Sequence, residues 1–306
     1  MRVETFNSYL VWVPLSIVLV VTVLAFLPPT REIKNASQGL LITSLVCLGL
    51  YQFTYCGFVE QAGVTGHITR NELGIYVVPN KMDTIYNVLR RGTPWEKGLI
   101  EEMKRYVKPG DVVVDIGAHI GTHSVPLSKM VGASGRVYAA EPMFVANLNM
   151  NIALNQDASS APVTVWPFAL SSHEGFSTIH VVNGNYGASR VVAGDDGVRV
   201  ETRTLDGLLA SEHGRVSLIK IDVEGHEKEV LEGARHVITR DKPVIFIEIL
   251  PDTPTGEGTR ELLYGYGYVV RRLKNHDYIA FPRVQAKLAT PLCVQAKLDT
   301  RRGTGE

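Results

Sequence analysis

The chain has 306 residues, 45% of them apolar, and its 31 basic side chains balance 31 acidic ones to a formal net charge of zero. That length holds one large domain with attachments or two small ones. The lack of a basic excess argues against nucleic acid as a partner. Cys47, Cys56 and Cys293 offer neither a disulfide framework nor a metal-ligand spacing.

Taken in chain order, the first feature is a pair of uncharged apolar stretches. Leu10 to Leu27 reads LVWVPLSIVLVVTVLAFL and Leu40 to Val59 reads LLITSLVCLGLYQFTYCGFV. Each approaches the ~20 residues that cross a bilayer as a helix. Trp12 near the start of the first, and Tyr51, Phe53, Tyr55 and Phe58 toward the end of the second, suit the membrane–water boundary. Residues 1–59 are therefore expected to form a membrane anchor of one or two transmembrane helices. A signal peptide fits less well, because the apolar core is long and no small-residue cleavage site follows it closely. Membrane is the expected location, on a side that the competing Arg2, Arg31 and Lys34 leave open.

Residues 60–94 read as a linker and extension with a short strand at Ile75-Tyr76-Val77-Val78. Trp95 to Val107 has helical spacing, ended by Lys108-Pro109-Gly110. Short apolar runs then alternate with helical segments. Strands are expected at 112–114, 136–140, 163–168, 217–221 and 244–249, with helices at 121–130, 144–155, 227–238 and 259–265. Closing strands are expected at 268–271 and 278–281. This alternation predicts a parallel sheet covered by helices on both faces. Residues 175–203 interrupt it with two strand-like runs, read as an inserted hairpin that could cover a site at the sheet's carboxyl edge. Residues 284–306 read as a loosely ordered tail in which Val-Gln-Ala-Lys-Leu occurs twice.

The loop Asp115-Ile116-Gly117-Ala118-His119-Ile120-Gly121 leads from a strand into a helix. Gly117 and Gly121 let a ligand or another backbone approach closely, and Gly117 can take a positive φ. Asp115 can orient the loop or meet a cationic ammonium. The next strand ends at Glu141, placed to take hydrogen bonds from a ribose diol as acids do in dinucleotide folds. A nicotinamide dinucleotide is the rival ligand. Its fingerprint needs glycine where His119 stands, and Asp115 would repel a pyrophosphate. Both points favour S-adenosylmethionine.

A second constellation, Lys220-Ile221-Asp222-Val223-Glu224-Gly225-His226-Glu227, ends a central strand, and Glu248 ends the neighbouring one. Acids converging on one edge raise one another's affinity for protons, which suits a general base acting on an alcohol. Asp222, Glu224 and Glu248 are the candidate catalytic residues. They could also hold a divalent cation through hard oxygens, although no metal is assigned. Glu227 fits a helix cap better than a site role. Lys220 could neutralise the cluster, and His119 and His226 are possible substrate or base residues.

These motifs in order resemble the FkbM family of methyltransferases: Lys108-Pro109-Gly110-Asp111, VVVDIGAHIG, Ala140-Glu141-Pro142, Asn151, Asn155, Ala169-Leu170-Ser171, Thr204-Leu205-Asp206 and Lys220 to Glu227. The resemblance covers roughly Trp95 to Glu248. It implies a class I methyltransferase (Rossmann-like) α/β fold, a seven-stranded sheet with helices on both faces at residues 95–283, preceded here by the N-terminal transmembrane helices. It implies S-adenosylmethionine as donor, held by Asp115, Gly117 and Glu141, with Ala118, His119 and Gly121 in the same loop. Asp222 and Glu224 would lie at the donor–acceptor junction. Phe168 offers a stacking face for adenine. His119 stands where the family often has Asn, and His226 where Ala is common, so the acceptor does not transfer. The expected function is a membrane-tethered O-methyltransferase acting on a hydroxyl of a sugar, glycolipid or small natural product. A non-catalytic membrane protein that keeps the fold, and a nicotinamide-dependent oxidoreductase, are the alternatives.

Overall fold

The computed structural model describes residues 66–79, 84–182, 190–192, 197–211, 214–251 and 253–283. All fall within the compact unit Val64–Glu306. The expected membrane anchor at 1–59 and tail at 284–306 lie outside the described residues. Among the described residues, no helix is long and apolar enough to cross a membrane.

The elements in chain order are β1 (His67–Arg70), β2 (Ile75–Val78), α1 (Thr84–Leu89), α2 (Lys97–Met103), β3 (Val112–Ile116), α3 (Ser124–Val131), β4 (Arg136–Ala140), α4 (Val145–Asn155), β5 (Val163–Trp166), β6 (Ala169–Leu170), β7 (Gly175–His180), β8 (Arg190–Val192), β9 (Val198–Arg203), α5 (Leu205–Leu208), β10 (Val216–Ile221), α6 (Glu227–Gly233), α7 (Arg235–Asp241), β11 (Val244–Glu248), α8 (Pro254–Gly265), β12 (Tyr268–Lys274) and β13 (Asp277–Pro282). Seven strands form the main sheet in the order β12-β13-β11-β10-β3-β4-β5. The five from β11 to β5 run parallel, and β13 is antiparallel to both of its neighbours. The sheet is thus mixed, not wholly parallel as the alternation alone suggested. A short turn joins β12 to β13, and so short a connection can only make antiparallel neighbours.

Alternation along the strands builds two cores, one on each face. Val114, Ile116, Ile219, Ile221, Ile245 and Ile247 face α6, α7 and α8. Val113, Leu218, Val244 and Phe246 face α2 and α3 through Met103, Leu127 and Val131. Burial on both faces explains why these strands read as unbroken apolar runs. Strand order reverses between β3 and β10, and the crevice at the carboxyl ends of such strands is where open α/β sheets bind ligands.

Residues 66–79 and 84–94, from the segment read as linker and extension, pack against the domain. The hairpin β1–β2 docks on α4 through Asn151 and Asn155, one helical turn apart. Asn151 Oδ1 accepts from the Val77 amide at 2.6 Å, and its Nδ2 donates to Val77 O (3.2 Å) and Ile120 O (2.8 Å). Asn155 does the same to Ile75, at 2.9 and 2.6 Å. Each amide copies the donor–acceptor pair of a neighbouring strand, so β2 has its backbone satisfied where no strand lies beside it. Tyr76, Val78, Ile85 and Leu89 then pack on Ile120 and Val125.

The expected helix 227–238 is two helices broken at Ala234. A Cβ on Gly233 would lie 2.0 Å from the Ser171 carbonyl, so α6 ends pressed against the β6–β7 connection. Asp206 caps α7 by accepting from the His236 and Val237 amides at 2.8 and 2.9 Å. The insertion after β5 is larger than a hairpin: β6, β9, β7 and β8 form a separate four-stranded sheet.

Candidate active site

A cavity of about 350 Å³ opens at the reversal point, at the ends of β3, β4, β10 and β11. Part of its wall is the loop after β3. The Gly117 and Ala118 amides both donate to Ala140 O at 3.0 Å, and the His119 amide donates to Glu141 Oε2 at 2.9 Å. Glu141 Oε1 in turn accepts from the Met143 and Phe144 amides at 2.6 and 3.0 Å. One buried carboxylate therefore joins the loop after β3 to the loop after β4. It lines the cavity while doing so.

Gly117 has φ +77°, and a Cβ there would lie 1.8 Å from Asp222 O. The turn is compatible only with glycine, and its closeness serves the loop after β10. Gly121, at φ +88°, has Leu148 of α4 2.9 Å from where a Cβ would stand. It permits helix packing and does not line the cavity. His119 has φ +50°, a region that His and Asn tolerate better than most residues. Its ring lies 4.4 Å from Phe144, edge to face, on the cavity wall.

Asp115 faces away from the cavity. It is fully buried, accepts from Ser124 Oγ at 2.6 Å and pairs with Lys220 Nζ at 3.4 Å. Ser124 and Lys220 thus take up its carboxylate, and it is not among the residues that line the cavity. Ala118 is buried beside Ala139 and Leu148. Phe168 packs on the main core and stacks on Trp166 at 6.3 Å, away from the cavity. The apolar surface open to a donor is instead Ile116, Ala140, Met143 and Phe144.

Another part of the wall gathers the three expected acids. Carboxylate oxygens of Asp222, Glu224 and Glu248 lie within 4.8 Å of one another, and all three residues line the cavity. This hard-oxygen set could hold a divalent cation of the magnesium or calcium class. The loop that presents Asp222 and Glu224 is strained, with Glu224 at φ +55° and Gly225 at +101°. Glu227 holds it by accepting from the Val223 and Gly225 amides at 3.2 and 3.0 Å. Glu227 thus braces the loop before α6 and does not cap the helix itself, and burial raises its carboxyl above the usual range.

Glu248 is raised to about 9, first by burial and then by the charges of Asp222 and Glu224. At neutral pH its carboxyl keeps its proton. His226 also lines the cavity, with Nε2 3.0 Å from Ser171 Oγ and Nδ1 3.5 Å from Glu229. Burial holds its imidazole below the usual range, which favours the neutral ring.

Sequence reasoning missed several walls of the cavity. Thr84 and Ile85 come from the segment read as linker and extension, Trp95 and Glu96 from the start of the segment read as helical, and Ile179 and Val191 from the inserted sheet. Asn151 and Asn155 were the available signal for the first group, since two amides one turn apart need a backbone to bind. For the last group, the inserted strands do reach the cavity wall.

The geometry bears on which cofactor fits. A pyrophosphate binds free loop amides at a helix N-terminus. Here the amides of 117, 118 and 119 are already given to Ala140 and Glu141, and carboxylates line the cavity. A cation-bearing donor with an adenosine fits this set, and a dinucleotide does not.

Comparison with known proteins agrees. The model of the methyltransferase FkbM domain matches residues 115–278, more than half of the chain. The hexuronic acid methyltransferase AglP of Haloferax volcanii is 30% identical over 146 residues, which are 47% of this chain and 58% of that protein. The ribosomal protein L11 methyltransferase of Bacillus cytotoxicus is 37% identical over 57 residues, 19% of this chain and 18% of that protein. The chain therefore spans well under two thirds of either relative. Methyltransferase FkbM from Methylobacillus flagellatus KT, a solved structure, aligns with a TM-score of 0.39 at 20% identity, over 60% of this chain and 50% of that one. The chain belongs to the FkbM methyltransferase family and carries an S-adenosylmethionine-dependent methyltransferase domain.

Proposed function

We propose that the protein is an O-methyltransferase acting on a hydroxyl of a sugar-type acceptor, and that residues 1–59 tether it to a membrane. One observation carries the reading. The donor loop held by Glu141 and the acid trio at 222, 224 and 248 share one cavity at the ends of adjacent strands. The hexuronic acid named for AglP supports a sugar acceptor, and the two apolar stretches support the tether.

S-adenosylmethionine supplies an electrophilic methyl group on a sulfonium, whose sulfur keeps the bonding pair on transfer. The chain's own residues supply position and proton handling. Ile116, Ala140 and Phe144 give the donor an apolar bed, with Glu141 available to its ribose. The acceptor oxygen approaches from the side of Ile179 and Val191, and its proton passes to a carboxylate of the trio. Asp222 suits this best, because it sits beside the Gly117 turn. Holding oxygen and methyl in line supplies much of the rate enhancement available to such a transfer.

The experiment is to incubate the full chain with labelled S-adenosylmethionine and a panel of neutral sugars, glycolipids and hexuronic acids, read by mass spectrometry. A methyl ether on a sugar hydroxyl is the expected product. A methyl ester on a carboxyl, or no sugar product from a chain that binds the donor, would overturn the proposal. For the tether, the full chain should sediment with membranes while residues 60–306 stay in the supernatant.

A further inference from the structure

We propose that Lys220 is a positioning residue that ties the donor loop to the acid facing the acceptor, so that the two halves of the site move as one. The inference rests on the methyltransferase reading above. Lys220 lies on β10 in register with Asp115 on β3 and is only 3% exposed. Its ammonium donates to the Gly117 carbonyl at 2.9 Å and lies 3.4 Å from both Asp115 Oδ1 and Asp222 Oδ2. One cation therefore touches the strand end, the donor turn and the acceptor acid.

Neutralising Asp115 does not account for this arrangement. A buried ion pair is commonly no more stable than apolar residues of similar volume, so stability alone gives little reason to keep one. The contact that remains unexplained is the carbonyl of Gly117. It lies in a left-handed turn beyond the end of β3, where the strand ladder no longer offers it a partner. Lys220 supplies that partner from the neighbouring strand and at the same time holds Asp222.

Two backbone features close the same seam: the Asp222 amide donates to Ile116 O at 3.1 Å, and Gly117 presses on Asp222 O. The backbone contacts fix the distance between the loops. The ammonium fixes the orientation of one carbonyl and one carboxylate across them.

Lys220 is not the proton acceptor. Burial works against its charge, but Asp115 and Asp222 outweigh it and hold the ammonium above the ordinary lysine range.

The test separates positioning from simple charge neutralisation. Lys220→Met alone leaves Asp115 buried without a counter-charge and can fail to fold for that reason. The informative pair is Asp115→Asn against Asp115→Asn/Lys220→Met, in which the double variant has lost both buried charges. Thermal melting and calorimetric titration with S-adenosylmethionine are read on the full chain. The double variant is expected to melt within a few degrees of the single one, yet to bind the donor at least tenfold more weakly. Equal donor affinity at equal stability would overturn the proposal, since neutralisation would then be the lysine's whole role.

If the double variant does not fold, hydrogen exchange on the unmutated chain decides. The donor should slow exchange in 115–121 and in 219–225 together, and protection confined to 115–121 would overturn the coupling. Absence of donor binding by the folded unmutated chain would instead reject the methyltransferase reading itself.

Discussion

The two sides of the cavity are built differently. On the donor side a single carboxylate, Glu141, accepts from three backbone amides, and the amides of 117 and 118 go to Ala140 O. On the acceptor side three carboxylates crowd together, and Glu248 holds its proton to about pH 9. One side is hydrogen-bonded to itself and shaped before any ligand arrives. The other keeps electrostatic tension that a ligand can relieve. The polar groups of the first side are committed within the fold, whereas the acids of the second stand together on the cavity wall.

The strongest way to break this contrast is Gly117→Ala. A methyl group there would stand 1.8 Å from Asp222 O on a backbone at φ +77°. The variant should lose donor binding and about 3 kcal/mol or more of stability, since clash and strained φ act together. Near-native melting would show that the two loops are not pressed together. Asp222→Asn should spare the donor side: about a hundredfold or more is expected off kcat, the usual effect of losing a positioned base. Donor affinity should stay within about threefold. A large loss of donor affinity with kcat retained would reverse the assignment of sides.

Asn151→Ala removes three hydrogen bonds that hold β2 and Ile120. About 2 to 4 kcal/mol of stability should go, because buried backbone groups are left without partners. Thermal melting checks it, and an effect below about 1 kcal/mol would return 66–94 to the status of a linker. The smallest effect sharpens the acceptor side. Glu248 binds its proton more tightly folded than unfolded, so it favours folding fully below about pH 4.5. That contribution fades as pH rises toward about 9, because the unfolded chain then gives up the proton freely while the folded chain must either keep it or bury a charge. Glu248→Gln should flatten the fall in stability across this window, by on the order of 1 kcal/mol at neutral pH. Parallel pH–stability curves for the two proteins would remove Glu248 from the account.

Much of this was legible in the sequence. Apolar runs on β3, β4, β10 and β11 announced a sheet buried on both faces. Gly117, Glu141, Asp222, Glu224 and Glu248 reach the cavity as the motifs implied, because each ends a strand or starts the loop after one. Phe168 did not, because the chain bends after β5 and its ring packs beside Trp166 against the core. Asp115 did not, because Ser124 and Lys220 claim its carboxylate from inside.

Trp95, Ile85, Ile179 and Val191 were illegible for another reason. Nothing local marks an apolar residue as cavity wall when the fold brings it from the segments before β3 or from a second sheet. The break at Ala234 likewise needs the Ser171 carbonyl, more than sixty residues away in sequence.

Calorimetric titration with S-adenosylmethionine of the unmutated chain, Glu141→Ala and Glu248→Gln tests the central claim most directly. Binding is expected of the first, at least tenfold weaker binding of the second at a temperature where it is folded, and binding within about threefold of the unmutated chain of the third. The two factors correspond to about 1.4 and about 0.7 kcal/mol. A folded unmutated chain that does not bind the donor, or a loss that falls on Glu248→Gln and spares Glu141→Ala, would contradict it.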